Sequence, residues 1–297
     1  MASLAELIAK QPGKLSVVGT PIGNLDDASP RVLNTLRDAD VVLCEDTRVT
    51  SKLLTAFKIH TSLERCDENI IKSKCDSVLE RLEMGLDFAF VSDAGMPGVS
   101  DPGQVLVDAA LNAGYKVEVI PGPSAVTCAL AASGFNMEHF FFEGFLPRKK
   151  NAQKQRLAFL AGVPGALVVY ESPYRVKETL ANITEVFPNR NVALVRELTK
   201  IYEECVRGTS GEVADIIANR EQVKGECVIV ISTPTSDELE QISKAVSDDV
   251  EPETIEDAIK QGLEQGRPKS ALARQLSRKF DMDRSEVYDL VNEIARA

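Results

Sequence analysis

Short β-branched runs that alternate with polar–apolar segments of helical period constrain this chain most. The runs at 15–19, 41–44, 88–92 and 116–120 are separated by segments at 31–37, 69–84 and 104–112 whose apolar residues recur at helical spacing. Strand–helix alternation of this kind predicts an α/β layer fold with a largely parallel sheet. A second series, 140–144, 166–171, 191–197, 202–208 and 226–232, interleaves with helical segments at 152–161, 174–187 and 213–219. Its closer, strand-rich spacing predicts a mixed sheet. Between the series, IPGPSA (120–125) forces a turn, and Ser124 stands where a helix N-cap belongs ahead of the small-residue run 125–132.

The boundaries expected from this pattern are 14–122 for a first α/β domain and 123–234 for a second, with a helical domain at 250–297. The stretch 233–252 turns acidic and loses strands, so it reads as a linker. Beyond it, helical segments at 254–264, 270–280 and 284–294, separated by GRPK and DMD, fit a helix-turn-helix-like module.

A content of 44 % hydrophobic and 27 % charged residues over 297 residues excludes wholesale disorder. No apolar run approaches the ~18–20 residues of a membrane helix. The opening MASLAELIAKQPGK carries no basic segment followed by an apolar one, so a cytoplasmic protein is expected. The 6 cysteines form no CxxC pair and several lie in apolar runs, where a thiol behaves as a small hydrophobe. With only 2 isolated histidines, no metal site is expected.

A net charge of −11 argues against nucleic acid as a partner of the whole surface. Two segments depart from that average. PRKKNAQKQRL holds Arg148, Lys149, Lys150, Lys154 and Arg156 with no acid, and residues 266–284 carry six cations against Asp281 and Asp283. Local contact with a polyanion and solvated helix faces both fit charge segregation of this kind.

The densest motif is SDAGMPGVSDPG (92–103), which packs three glycines and two prolines into twelve residues at a strand end. A loop so constrained presents backbone donors and acceptors in a fixed array, as a small-molecule pocket requires. VGTPIGNL (18–25) lacks both the dinucleotide and the phosphate-loop spacing, yet its glycines allow close backbone approach by a ligand. YESPYR, ALVRELTK and KGECVIVI place carboxylates and cations at strand ends. Salt bridges at a domain interface and a polar substrate floor account for them equally.

Taken in order, GTPIGNL, CEDTR, VSDAGMPGVSDPG, IPGPSA, EGFLPR, YESPYR, RELTK and KGE span most of the chain. As a set they closely resemble the tetrapyrrole methylase superfamily and, within it, the bacterial methyltransferases that modify a cytidine 2′-hydroxyl in 16S ribosomal RNA. The resemblance implies two α/β domains with a cleft between them, plus the small helical domain. It further implies S-adenosyl-L-methionine in that cleft, a homodimer, and the small ribosomal subunit as partner. Carried over residue by residue, the cofactor lies against Pro21, Ile22, Gly23, Asp93, Ala94, Gly95, Met96, Pro97, Ser124, Ala125, Glu171, Leu198, Gly225 and Glu226. Met96 departs from the threonine usual after DAG, and Tyr174 from the histidine often seen in YESxxR.

A ribose hydroxyl is a poor nucleophile at neutral pH and benefits from a nearby base, for which Asp93, Glu171 and Glu197 are candidates. The basic loop Arg148, Lys149, Lys150, Lys154 and Arg156 is expected to contact RNA phosphates. Corrin and porphyrin methylases generally lack this loop and the tail. Methylation of a tetrapyrrole-like small molecule, or a non-catalytic role in ribosome assembly, remain the alternatives at this point.

Overall fold

The computed structural model describes residues 11–98, 103–240, 254–264 and 266–295. The opening segment up to residue 10, residues 99–102 of the glycine-rich loop, and residues 241–253 of the acidic stretch lie outside the described residues. Two compact units emerge, one ending at Pro234 and the other beginning at Thr235.

In the first unit, β1 (Lys14–Val18), β2 (Val41–Cys44), β3 (Ser62–Arg65), β4 (Phe88–Val91) and β5 (Lys116–Ile120) form a sheet of order β3-β2-β4-β1-β5. Every pairing in it is parallel. Helices α1 (Pro30–Asp38), α2 (Thr47–Ala56), α3 (Ile71–Glu83) and α4 (Gly103–Asn112) make the connections. Side chains alternate across a strand, so Leu43, Phe88 and Phe90 bury against α3 and α4, while Val42, Cys44, Ala89 and Val91 bury against α1 and α2. The helix boundaries have local causes. Ser29 caps α1 by accepting the Val32 N–H at 3.2 Å, and Pro30 opens the helix with its φ already set.

The sequence pattern misses α2 and β3. β3 is an edge strand of four residues, SLER, with no buried position. The alternation that reveals half-buried strands is therefore absent there.

The second sheet, of order β6-β7-β10-β8-β9, is mixed, as the strand spacing predicts. It comprises β6 (Phe140–Phe145), β7 (Ala166–Glu171), β8 (Asn191–Arg196), β9 (Glu204–Thr209) and β10 (Cys227–Ile231). β6 pairs parallel with β7, and the remaining pairs are antiparallel. On one face lies α5 (Ala125–Ser133), whose Val126, Ala129 and Leu130 meet Val168, Val195 and Val228. The other face is covered by α6 (Lys150–Leu160), α7 (Val176–Val186) and α8 (Ser210–Ala218).

Glu204 on β9 is gripped by Arg220, with contacts of 2.6 and 2.8 Å, and by Arg196 at 2.7 Å. Hydrogen bonding to Arg220 is the largest influence on its carboxyl, whose pKa falls to about 2. The folded value thus lies below the unfolded one, about 4.3. The stability it contributes is present above that unfolded value and is lost as pH falls toward 2. With 35 % of the side chain exposed, the contribution stays below about 1 kcal/mol. Glu204→Gln is therefore expected to lower the calorimetric Tm slightly at pH 7 and to leave it unchanged near pH 2.

In the second unit, α9 (Ile255–Glu264), α10 (Lys269–Lys279) and α11 (Arg284–Ile294) share a core of Ile259, Leu272, Ala273, Leu276, Val287 and Val291. Asp283 caps α11 by accepting the Ser285 N–H at 2.7 Å. Among the described residues, no helix is long and apolar enough to cross a membrane.

Candidate active site

A parallel sheet sends every strand's carboxyl end to the same edge, where ligands of open α/β sheets bind. Because β1 lies between β4 and β5, the loops that follow these three strands come together. Thr20 and Gly95 exchange backbone hydrogen bonds of 2.9 and 3.1 Å. The Gly122 N–H donates to the Met96 Sδ at 3.3 Å. The backbones at Gly19 and Gly122 pass so close that a Cβ on Gly19 would lie 2.6 Å from the Gly122 nitrogen. Glycine is required there because no side chain fits between the loops.

At the facing edge of the second sheet, antiparallel pairing puts Glu171 opposite Cys227 and Cys227 opposite Arg196. The carboxyl ends of β7 and β8 therefore meet the amino end of β10. Between the two edges lies a cavity of about 380 Å³, within the range of small-molecule sites. Its floor is apolar and comes from Ile22, Met96, Ala125, Phe145, Tyr170 and Val228; Ala94, Gly95, Ser124, Glu171, Ser172, Pro173, Glu226 and Cys227 complete the wall.

Of the residues expected at the cofactor, Ile22, Ala94, Gly95, Met96, Ser124, Ala125, Glu171 and Glu226 line this cavity. Pro21, Gly23, Asp93, Pro97, Leu198 and Gly225 lie in the adjoining loops. Leu198 shares a core cluster with Ile22. Gly23 packs against Thr199 and Lys200, where an added Cβ would meet the Thr199 hydroxyl at 2.7 Å. Ser124 occupies the N-cap of α5, but its side chain makes no capping bond. Phe145, Tyr170, Ser172, Pro173, Cys227 and Val228 are lining residues that sequence reasoning did not single out. All lie inside the quoted motifs or one residue beyond them, so the motifs carried that signal.

The three candidate carboxylates have different surroundings. The Glu171 side chain is fully buried. It accepts the Ser172 N–H at 2.7 Å and the Thr179 hydroxyl at 2.6 Å, and pairs with Arg175 at 3.3 Å. Gln153 extends this buried network by donating to the Thr179 oxygen at 3.2 Å, and Asn182 by donating to Gln153 at 2.5 Å. Arg175 also donates to the Leu146 and Pro147 carbonyls, at 3.1 and 3.3 Å. The cavity wall is thus tied to the start of the basic loop.

Glu197 accepts from Lys200 at 2.9 Å and from the Glu226 N–H at 3.3 Å. It stands at a positive φ of 51° beside Gly225, whose own φ is +85°, and a Cβ on Gly225 would run into its carboxylate. The Lys200 ammonium holds Glu197 below the usual carboxylate range. Burial works against the charge on Lys200, yet its bonds to Glu197 and Glu226 leave its pKa raised. Asp93 is exposed, and its Oδ1 accepts the Asp46 N–H at 3.2 Å. Its Oδ2 has no partner among the described residues. Asp46 in turn holds Arg48, which draws the Asp46 carboxyl down to about 2.

The cysteine at the cavity is not activated, because burial pushes the Cys227 thiol up to about 11. Burial likewise raises Tyr170, against whose ring Phe142 and Phe145 pack edge-on at 4.9 and 5.7 Å. Tyr174, at the position where the resemblance leads one to look for histidine, is 89 % exposed.

The basic loop separates into two groups. Arg156 forms a bidentate pair with Glu143 at 2.7 and 2.8 Å, and Lys150 and Lys154 both pair with Glu185. Glu143 is the extra residue of a β-bulge in β6. Arg148 and Lys149 are exposed, and their side chains have no hydrogen-bond or ionic partner among the described residues. Among those residues no group of three or more metal-ligating side chains is assembled.

Three comparisons bear on this site. Residues 14–214 match the model of the Tetrapyrrole (Corrin/Porphyrin) Methylases. The chain is 44 % identical over 222 residues, 74 % of its length, to 98 % of a Thermotoga maritima protein named ribosomal RNA small subunit methyltransferase I. It is 38 % identical to the Bacillus subtilis protein of the same name over 281 residues, 93 % of each chain. Among solved structures, uroporphyrin-III C-methyltransferase from Thermus thermophilus, complexed with S-adenyl homocysteine, matches with a TM-score of 0.53. That match has 19 % identity and covers 74 % of this chain and 97 % of the other.

Proposed function

The chain belongs to the tetrapyrrole (corrin/porphyrin) methylase family, and from that premise we propose that it methylates RNA of the small ribosomal subunit with S-adenosyl-L-methionine as donor. The acceptor in this reading is the 2′-hydroxyl of a cytidine ribose. The observation that carries it is the 38 % identity with the Bacillus subtilis rRNA methyltransferase over 93 % of both chains. That span takes in both sheets and runs on into helices of the second unit, a part of the chain beyond the family match at residues 14–214.

The cavity suits the donor. Ile22, Met96 and Val228 offer an apolar bed, the close approach of Gly19 and Gly122 holds the loops that carry it together, and Glu171 and Glu226 stand at the wall. When bound, the donor supplies a methyl group on a sulfonium whose positive charge disappears on transfer. Much of the acceleration then comes from positioning, and the rigid loops at 19–23, 93–97 and 121–125 provide it. Pro21, Gly23, Pro97, Leu198 and Gly225 hold those loops and the 197–200 turn in place. Glu171 has both oxygens engaged by N–H, hydroxyl and cationic partners. Glu197, bound at Oε1 by Lys200 and the Glu226 N–H, is held below the usual carboxylate range and so is a poor proton acceptor. Both therefore shape the pocket. Asp93 keeps Oδ2 free to accept the proton of the ribose hydroxyl.

Arg148 and Lys149 hold no internal partner, so the loop's contact with RNA phosphates falls to them. Arg148→Gln with Lys149→Gln is expected to raise KM for ribosomal subunits and to lower the salt slope of binding by about one per charge. Its kcat and Tm should stay near those of the parent. Arg156→Gln instead should lower Tm, because it strands the largely buried Glu143 carboxylate. Exposed Ile201 and Tyr202 offer apolar surface to a second copy in a cytoplasmic homodimer.

The deciding experiment transfers labelled methyl from the donor to small subunits that lack this modification, with a porphyrinogen as control and nuclease mapping of the product. Label at one cytidine ribose is the expected result. Label in the porphyrinogen and none in RNA overturns the substrate assignment.

A further inference from the structure

The second unit segregates its charge by helix. α10 carries Lys269, Arg274, Arg278 and Lys279 and no acid, with Arg267 just before it and Arg284 just after the following turn. α9 carries Glu256, Asp257 and Glu264 against Lys260, and α11 carries Glu286, Asp289 and Glu293 against Arg284. All these side chains are exposed. Leu272, Ala273 and Leu276 turn the other face of α10 into the core. Arg274 and Arg278 thus sit one turn apart at the centre of its outer face.

A surface tuned only for stability and solubility would intersperse the two signs and pair them across turns. Here Arg274, Arg278 and Arg284 pair with no carboxylate among the described residues, although six acids lie on the two neighbouring helices. Arg267 and Lys269 reach neutral amides, at Gln275 (3.1 Å) and Asn292 (3.4 Å). The helix dipole favours Arg278 and Lys279 in the last turn. It gives no reason for Arg274, nor for Lys269 at the amino end.

In a DNA-reading helix-turn-helix, the helix after the turn enters the groove. Here that helix is α11, whose outer face presents Glu286, Asp289 and Glu293 and repels phosphate. We propose that the second unit is a sequence-independent RNA anchor that docks α10 across backbone phosphates through Arg274 and Arg278, with α11 facing away from the RNA. This rests on the RNA-methylating reading above.

The test uses the full chain with Arg274→Gln and Arg278→Gln together. Binding of a labelled RNA hairpin is followed by anisotropy from 50 to 200 mM KCl, and methylation of small subunits is measured in parallel. The salt slope should fall by about two, one for each phosphate that no longer meets an arginine. The KM for subunits should rise, while donor affinity and Tm hold. Glu286→Gln with Glu293→Gln on α11 should weaken neither readout. An unchanged slope in the arginine variant overturns the anchor, and so does an equal loss in the α11 variant. A raised KM with unchanged hairpin binding overturns it in favour of a ribosomal protein as the contact. A parent chain that methylates no RNA defeats the functional reading itself. If that chain also fails to bind the hairpin, the anchor falls with it.

Discussion

Asp93→Asn is expected to cut kcat by roughly two to four orders of magnitude, the range for loss of a positioned general base, while donor affinity and Tm stay close to those of the parent. The substitution is nearly isosteric, and the asparagine carbonyl can still accept the Asp46 N–H that now binds Oδ1 at 3.2 Å. Loop geometry is thereby conserved, and only the capacity to take a proton at Oδ2 is removed. Single-turnover methylation of small subunits at saturating donor, with calorimetry of donor binding, separates the two effects. Full turnover in Asp93→Asn would take the base role from Asp93. Glu171→Gln and Glu197→Gln should show the opposite signature. Each loses an ionic partner, Arg175 or Lys200, that fixes a wall or a turn, so donor affinity should suffer first and kcat only through it.

That contrast was not legible in the sequence, and the reason is physical. YESPYR and RELTK give carboxylates at strand ends together with their cations, Arg175 and Lys200, but other partners lie outside these two motifs. Thr179 lies eight residues beyond Glu171 on α7, and Glu226 lies 29 residues beyond Glu197. Periodicity reports which face of an element is buried; it says nothing about which side chain across a cleft satisfies a given lone pair. The same limit applies to the basic loop. Five cations with no acid in the segment read as one patch, yet Glu143 and Glu185, on either side of it in sequence, pair with three of them.

What was legible follows from local rules. Buried parallel strands such as VVLC and FAFV are continuous apolar runs, and both are strands at or within one residue of their expected bounds. The glycine- and proline-rich motifs mark the cavity wall because backbones that approach this closely leave no alternative residue. The edge strand SLER and the helix before it escape because neither contributes a long apolar run.

The glycine pair beneath the cavity makes the second large expectation. Gly19→Ala would place a methyl group 2.5 Å from the Met96 Sδ, 2.6 Å from the Gly122 nitrogen and 2.7 Å from the Gly122 Cα. Overpacking of this kind costs about 1–3 kcal/mol, readable as a lower Tm. It should also weaken donor binding by roughly tenfold or more, since about 1.4 kcal/mol of misfit at the site suffices for that factor. Relief requires the turn 121–124 to move, and Ser124 and Ala125 on the cavity wall move with it. Which of the two obstacles dominates can be settled with Met96. Its thioether is the far end of a flexible side chain and can swing aside, whereas the Gly122 backbone is pinned in the loop after β5. Adding Met96→Thr to Gly19→Ala removes the sulfur from the clash and leaves the backbone in it. The double variant should therefore stay as weak in donor calorimetry as Gly19→Ala alone. Recovery to the parent affinity would mean that the thioether, and not the approach of the two backbones, sets the shape of the pocket floor.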